Sequence, residues 1–372
     1  MSSQQASILP ATSYSGLYDY FRSVFRDDLP LLKIVFIGVS AWLLLAFIST
    51  YFIPDTAGSS AQNSTQYLDY VIRNGQFYLA FVLAIIPIKL LKISKQTPKG
   101  QSALPVFRDK YQSWYAGPKK EIFGIPAFFI MAMAVFAIYL FAYSTIKTRI
   151  PEIIPYKWDD LFMNMDRVIF MGKDPWQYFA FLYEYPNIIR AMDFIYDFWA
   201  VLLVSTWFFA LRFGGQDKAR RYQFVIALLL TWFIGGNILA IFLSSGGPVY
   251  YEALTGLPST YSDQMVILST INAQTPLRAF EYQQLLWNIY ESPSVGLGGI
   301  SAMPSMHCAS SFLLFLMFGR TVLTRLILGA FFMLILISSF VLAWHYAVDG
   351  LFVLPVTYGC WKLAGWMVRK FG

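Results

Sequence analysis

Residues 306–345 read MHCASSFLLFLMFGRTVLTRLILGAFFMLILISSFVLAWH, two apolar runs separated by a short basic turn. The runs cover about 306–320 and 325–344, and Arg320 and Arg325 mark the turn. A transmembrane helix needs roughly 20 mostly apolar residues. The second run has that length, and the first reaches it by including residues 302–305. The stretch therefore predicts a hairpin of two membrane-spanning helices whose outer ends meet on one side of the bilayer.

The same apolar pattern recurs along the rest of the chain. Of the 372 residues, 57% are hydrophobic and only 13% are charged, whereas a soluble domain carries about 25% charged residues. That composition excludes a soluble globule, a disordered chain and a nucleic-acid-binding module. We therefore predict an all-α fold, a polytopic transmembrane helix bundle of about eight spans. The predicted spans are about 34–53, 75–92, 124–146, 189–211, 222–244, 306–320, 325–344 and 350–368.

The basic residues fall mainly on one side of this predicted bundle. With the N-terminus inside, 20 of the 28 lysines and arginines lie in cytoplasmic segments, and the acids show the opposite bias, 6 inside and 15 outside. An excess of lysine and arginine marks the cytoplasmic side. We therefore expect a multi-pass protein of a bacterial inner membrane, or of the endoplasmic reticulum or Golgi. Both termini should be cytoplasmic, and the long 245–305 segment should lie on the other face.

Two outer segments, 147–188 and 245–305, are long. In the first, apolar residues recur at helical spacing and predict an amphipathic helix at the membrane interface. A helix that packs on the outer rim of the bundle is the alternative. The apolar positions are Trp158, Leu161, Phe162, Met165, Val168 and Ile169, and the polar positions elsewhere on the turn are Asp159, Asp160, Asn164 and Arg167.

The chain has only two histidines, and each lies at the end of a predicted span. Residues 304–307 are Pro-Ser-Met-His, and residues 345–349 are His-Tyr-Ala-Val-Asp. Because the hairpin returns to its starting side, His307 and His345 should lie near each other at the outer face. Asp349 follows His345 by four residues, so the two share a helical face if the helix continues.

Two imidazoles and a carboxylate suit phosphoryl transfer without a metal or another cofactor. One neutral imidazole can attack phosphorus and form a phosphohistidine, while a carboxylate on its other ring nitrogen fixes the tautomer. The second imidazole can protonate the departing oxygen and then deprotonate the acceptor. Ser305 lies in a turn that opens a span, where backbone N–H groups and a hydroxyl can point at an anion. Two histidines with one nearby acid make a poor metal site, so no metal is expected.

These motifs resemble those of the type 2 phosphatidic acid phosphatase superfamily. That family's second and third motifs are Pro-Ser-x-His and His-x-x-x-Asp, which residues 304–307 and 345–349 match. The resemblance implies a six-helix catalytic core at 124–372, preceded by an N-terminal part, 1–123, with two extra spans and a basic cytoplasmic loop. The roles that it implies are nucleophile for His345, orienting partner for Asp349, general acid and base for His307, and phosphate ligand for Ser305.

The first motif of that family is missing. The common phosphatase pattern, Lys-x6-Arg-Pro, falls where residues 245–251 read Ser-Gly-Gly-Pro-Val-Tyr-Tyr, and the arginine expected six residues before the second histidine is Ser339. A phosphomonoester carries about −1.5 to −2 charge near neutral pH, whereas a diester carries one and needs fewer cations. The chain therefore resembles the inositol phosphorylceramide synthase branch, which implies transfer of a phospho-headgroup from a phospholipid donor to a lipid alcohol acceptor. A lipid or polyprenyl phosphate phosphatase, with water as acceptor, is the alternative.

Other outer residues are candidates for the missing contacts. One helical face carries Arg190, Asp193 and Asp197. These residues form either a structural salt-bridged triplet or a binding site, in which Arg190 contacts the phosphate and the two acids bind headgroup hydroxyls. Gly247 and Tyr250 are further candidates for substrate binding. A transporter is disfavoured, because the polar constellation lies at one membrane edge and the chain shows no repeated halves. The outer cations are Arg73, Lys147, Arg149, Lys157, Arg167, Lys173, Arg190 and Arg278.

Overall fold

The structure is a computed structural model that describes residues 29–52, 120–211, 217–291 and 298–372. The regular elements of these residues are all helical. The predicted span at 75–92 and the basic loop after it lie outside the described residues. The helices are α1 (Leu29–Phe52), α2 (Lys120–Thr148), α3 (Ile150–Ile153), α4 (Asp159–Ile169), α5 (Pro186–Leu211), α6 (Lys218–Phe233), α7 (Tyr251–Thr255), α8 (Thr260–Gln274), α9 (Arg278–Glu291), α10 (Met306–Phe318), α11 (Val322–Val341) and α12 (Ala347–Phe371), with 3₁₀ segments at Pro175–Glu184 and Pro248–Tyr250.

Five helical stretches among the described residues are long and apolar enough to cross a membrane, so the chain is an integral membrane protein. They correspond to the predicted spans at 34–53, 189–211, 222–244, 325–344 and 350–368. The predicted span at 306–320 forms the shorter apolar helix α10, and that at 124–146 lies within α2. The number of eight spans stays a prediction. The five stretches are Leu29–Ser49, Pro186–Leu211, Lys218–Phe242, Val322–Val341 and Ala347–Phe371.

Helix α6 lies at the centre of the bundle and contacts α1, α5, α10 and α12. Most of its side chains are buried, as expected for a helix that is apolar all round. It continues through a π-helical turn, Ile234–Leu239, that contains two glycines. A Cβ atom at Gly236 would lie 2.7 Å from the ring of Tyr143 and 3.1 Å from the sulfur of Met306. Glycine therefore lets α2 and the start of α10 approach α6 closely.

Helix α4 forms where the periodicity predicts it, but its buried face differs from the apolar face of the sequence. Asp159 and Asp166 are buried, whereas Val168 is 82% exposed and Ile169 is 48% exposed. The aspartates face the bundle because their carboxylates accept hydrogen bonds from backbone N–H groups there. The helix thus packs on the rim of the bundle with both carboxylates, Phe162 and Met163 inward, while Val168 and Ile169 point outward.

Candidate active site

The hairpin of α10 and α11 brings the two histidines together. His307 is in the first turn of α10, and His345 lies in the turn between α11 and α12. The centroids of the two imidazole rings are 6.3 Å apart. The sequence-based prediction that these rings lie near each other is confirmed.

His345 is held by the first turn of α12. Its Nδ1 lies 3.2 Å from Oδ2 of Asp349, and the same oxygen accepts a hydrogen bond of 3.1 Å from the backbone N–H of Tyr346. Asp349 is fully buried, and His345 nearly so. Nδ1 therefore faces the carboxylate, and Nε2 is the ring nitrogen left for chemistry.

The environment of His345 favours a neutral ring. Burial is the main reason that its pKa falls to about 3; the positive charge of Lys147 lowers the pKa further, and the backbone of Ala302 opposes the shift. A neutral imidazole is the form that can act as a nucleophile.

His307 is held between two aromatic rings of α5, a contact that the sequence analysis missed. The ring of Tyr196 stacks on the imidazole at 4.2 Å between centroids and 15° between planes, and Trp199 lies at 4.1 Å on a tilted plane. These contacts leave the imidazole few orientations. The available signal was the spacing of Tyr196 and Trp199, three residues apart at the outer end of a predicted span.

Ser305 is the N-cap residue of α10. Its Oγ accepts the backbone N–H of Cys308 at 3.5 Å, and its own N–H donates to the carbonyl oxygen of Asp349 at 3.3 Å. It is fully buried. The Ser305 hydroxyl can still donate its proton, as a hydroxyl both accepts and donates, so its predicted role as a phosphate ligand is chemically compatible with the cap.

A family model described as the PAP2 superfamily matches residues 161–362, more than half of the chain. The chain belongs to the PAP2 superfamily. The matched residues include both histidine motifs and all helices from α5 to α11. No curated protein and no solved structure matches the chain. Membership in the PAP2 superfamily supports an enzyme of the phosphatase or phosphotransferase type that acts on lipid-type substrates.

In this PAP2 superfamily member, the segment that replaces the cationic first motif packs against the His345 turn. Gly247 has a φ of +91°, and a Cβ atom there would lie 2.7 Å from the carbonyl oxygen of Trp344, so both conformation and space require glycine. Val249 donates its N–H to the carbonyl of Ala343 at 3.0 Å. The Tyr250 hydroxyl donates to the carbonyl of Gln283 at 2.8 Å. The N–H of Gly247 donates to Asp159 at 2.8 Å, so this group and the Tyr250 hydroxyl both bind other parts of the protein, which favours supporting roles over the predicted substrate contacts.

Two aspartates of α4 clamp the turn that carries His345, and sequence analysis missed both. Asp166 accepts the N–H groups of Ala347 and Val348, the first residues of α12, at 2.7 and 2.8 Å. Asp159 accepts the N–H groups of Gly246 and Gly247 at 3.0 and 2.8 Å, and the Tyr346 hydroxyl at 2.9 Å. Burial raises the pKa of Asp166 to about 7, although the two N–H donors oppose that shift. The available signal was their spacing of seven residues, two helical turns, on one face of a predicted helix.

The predicted salt-bridged triplet of Arg190, Asp193 and Asp197 is wrong, because the cation that pairs with Asp197 is Arg278 and not Arg190. Asp197 forms a salt bridge with Arg278, and Asp193 accepts the N–H groups of Arg278 and Ala279 at 2.8 and 3.0 Å. Arg190 is exposed. The two acids thus hold the start of α9, where backbone N–H groups attract carboxylates. Their predicted binding of headgroup hydroxyls finds no support in this geometry.

Within the described residues, no group of three or more histidine, cysteine, aspartate or glutamate side chains is arranged to hold a metal ion. His345 and Asp349 pair with each other, and His307 stacks on aromatic rings. The arrangement can therefore supply a nucleophile, an orienting carboxylate and a second imidazole.

Proposed function

We propose that this protein transfers a phospho-headgroup from a phospholipid to a lipid alcohol through a phosphohistidine at His345, as inositol phosphorylceramide synthase does. The observation that carries the proposal is the pair of imidazoles 6.3 Å apart, one of them hydrogen-bonded through Nδ1 to a buried carboxylate. Membership in the PAP2 superfamily supports the reaction class.

The first half-reaction breaks the ester bond of the donor. Nε2 of His345 attacks phosphorus, a P–N bond forms, and the bond to the departing oxygen breaks. His307 protonates that oxygen as it leaves. Asp349 holds the Nδ1–H and stabilises the positive charge that develops on His345.

The second half-reaction reverses the roles. His307, now neutral, removes the proton of the acceptor hydroxyl, and the resulting oxygen attacks the phosphohistidine. The P–N bond breaks and His345 returns to its neutral form. The same steps with water as acceptor make the protein a phosphatase, so the alternative differs only in which hydroxyl reaches the phosphorus.

The phosphate-binding side chains favour a diester donor. The segment 245–251 has no lysine or arginine, and Ser339, at the position of the family arginine, is buried with its hydroxyl donating to the carbonyl of Leu336. A dianionic monoester would therefore lack cations that a common phosphatase supplies. A diester, which carries a single negative charge, suits this site better.

A cavity beside the segment that leads to Ala302 is the proposed place for the headgroup. Its volume is about 380 Å³, and its wall includes Gly299 and Ile300, just before Ala302, whose backbone contacts the His345 ring. Carboxylate and phenol groups line it, which can hydrogen-bond a polar headgroup. The remaining lining residues are Thr148, Pro151, Glu152, Tyr156, Ile289, Tyr290 and Glu291.

The experiment that tests the proposal offers purified protein a phosphodiester lipid with a lipid alcohol, and separately a phosphomonoester lipid. The expected result is a transferred headgroup detected by mass spectrometry and lost in His345→Ala. Rapid release of orthophosphate from the monoester, with no transfer from the diester, would overturn the proposal in favour of the phosphatase. A chelator in the same assay should leave turnover unchanged, because the proposed steps use no metal.

We also propose that the site faces the non-cytoplasmic side, with both termini in the cytoplasm. The support is the distribution of basic residues between the two faces. Single cysteines placed at exposed Lys157 and at exposed Arg369 should react with a membrane-impermeant reagent from opposite sides of sealed vesicles. Labelling of both from the same side would contradict this orientation.

A further inference from the structure

The histidine site lacks the cations by which a common phosphatase of this family binds phosphate. Binding of a phosphate between the histidines therefore requires a positive charge from another residue. Of the outer cations that the structure describes, three pair with acids: Arg149 with Glu152, Arg167 with Asp174, and Arg278 with Asp197. Arg190, Lys157 and Lys173 are exposed. Lys147 remains.

Lys147 is in the last turn of α2 and is half-buried. No carboxylate in the described part of the chain pairs with it. Its Nζ lies 5.7 Å from the centroid of the Tyr143 ring, one turn earlier on the same helix. A partly buried ammonium without a counter-charge is costly, and an anionic substrate would remove that cost.

Two walls of the site meet at Lys147. On one side, Gly299 packs closely on Lys147, and a Cβ atom at residue 299 would lie 2.7 Å from the Lys147 carbonyl oxygen. The segment that follows Gly299 leads to Ala302, whose backbone contacts His345. On the other side, the ring of Tyr143 and the side chain of Met306, which precedes His307, both lie close to Gly236. The Lys147 charge accordingly interacts with both His307 and His345.

We propose that the Lys147 ammonium binds the phosphate of the donor lipid between the two histidines, in place of the cations of the missing motif. One ammonium matches the single charge of a phosphodiester. It would contact a non-bridging oxygen, leaving phosphorus open to His345 on one side and the departing oxygen open to His307 on the other. The proposal rests on the proposed function and specifies the phosphate subsite of that same centre.

The test compares Lys147→Met, which keeps the length of the side chain and removes its charge, with Lys147→Arg, which keeps the charge. Lys157→Met is the matched control, since Lys157 is exposed on the same face and lies over Trp158, away from the histidines. Each variant is purified and checked for wild-type elution on gel filtration. If Lys147→Met does not elute as wild type, Lys147→Gln takes its place. The measurements are the KM for the donor lipid, kcat, and the inhibition constant of orthovanadate, a phosphate analogue.

Loss of one contact to a charged group should raise the vanadate inhibition constant and the donor KM by roughly ten- to a hundredfold in Lys147→Met. Lys147→Arg should recover most of that loss, and Lys157→Met should behave as wild type. A purely structural role for Lys147 would not give recovery by charge alone.

The outcomes separate the two proposals. If the wild-type protein turns over lipid and vanadate inhibits it, but Lys147→Met matches Lys157→Met, the assignment of Lys147 is overturned and the proposed function stands. If the wild-type protein neither transfers nor hydrolyses any phosphoester lipid and vanadate does not affect it, the proposed function fails and the assignment of Lys147 falls with it.

Discussion

Replacement of Asp166 by asparagine should impair the catalytic turn although Asp166 touches neither histidine in the described contacts. Its two carboxylate oxygens accept the N–H groups of Ala347 and Val348 at 2.7 and 2.8 Å. These residues begin α12, directly after His345 and Tyr346. Asparagine has nearly the same shape, but it offers one oxygen and one NH₂ group, so one backbone N–H would face another donor.

The magnitude follows from these two bonds. A hydrogen bond to a charged acceptor contributes about 1.5–3 kcal/mol to the free energy of unfolding, and a neutral one about 0.5–1.5 kcal/mol. Asp166→Asn loses one bond and weakens the other. Burial raises the pKa of Asp166 to about 7, so the neutral side chain recovers part of the loss through a smaller desolvation cost. The net destabilisation should be about 1–3 kcal/mol.

The effect on turnover should exceed the effect on stability, because a shift of about 1 Å in a reacting group can cost 10²-fold in rate. The assay measures kcat for headgroup transfer and thermal unfolding in detergent, at a temperature where wild type and variant are both folded. Asn164→Ala is the control, an exposed position on the same helix. Wild-type kcat in a folded Asp166→Asn protein, or an equal loss in Asn164→Ala, would refute the reasoning.

Three further predictions concern the histidines and their carboxylate. His345→Ala should abolish both phosphoenzyme formation and turnover, while His307→Ala should slow transfer by roughly 10²-fold or more; wild-type turnover in either variant contradicts the assignment. Asp349→Asn should give a folded protein with a lower kcat, because the amide cannot stabilise the imidazolium of His345. An unchanged kcat would contradict the orienting role of Asp349. The pKa of His345 falls to about 3, so the ring stays neutral until the pH drops toward that value. Protonation of His345 should therefore not reduce the single-turnover rate of phosphoenzyme formation between pH 8 and pH 5. Loss of that rate near pH 6.5 that also persists in Asp166→Asn, in an enzyme that keeps its fold, would mean that the His345 ring titrates as an ordinary histidine.

The hairpin was predictable because its two properties are local. A run of apolar residues sets the length of each helix, and the short turn at Arg320 and Arg325 fixes their antiparallel order. The position of His307 relative to His345 follows from those two facts alone. The pairing of His345 with Asp349 follows in the same way from a separation of four residues.

The supporting residues were not predictable from periodicity because their partners are distant in sequence. The periodicity places Asp159 among the polar positions of α4, and it does not single out Asp166. In the structure, their partners are backbone N–H groups about 87 and 181 residues away. Asp197 was assigned to Arg190 on its own helix, but it pairs with Arg278 on α9. A pattern within one segment cannot identify an acceptor or donor that another segment supplies.

The inverted face of α4 has a physical consequence for the site. Val168, in α4, and Met171, just after it, are 82% and 89% exposed, whereas Asp159 and Asp166 are buried against the bundle. Hydrogen bonds from N–H groups to Asp159 and Asp166 are stronger where water does not compete. The burial of Asp159 and Asp166 therefore strengthens the hydrogen bonds by which they hold the turn that carries His345. The position of His345 then depends on the short helix α4 as well as on the long helices, which is why Asp166, rather than a residue in the core of the bundle, is the sharpest place to perturb it.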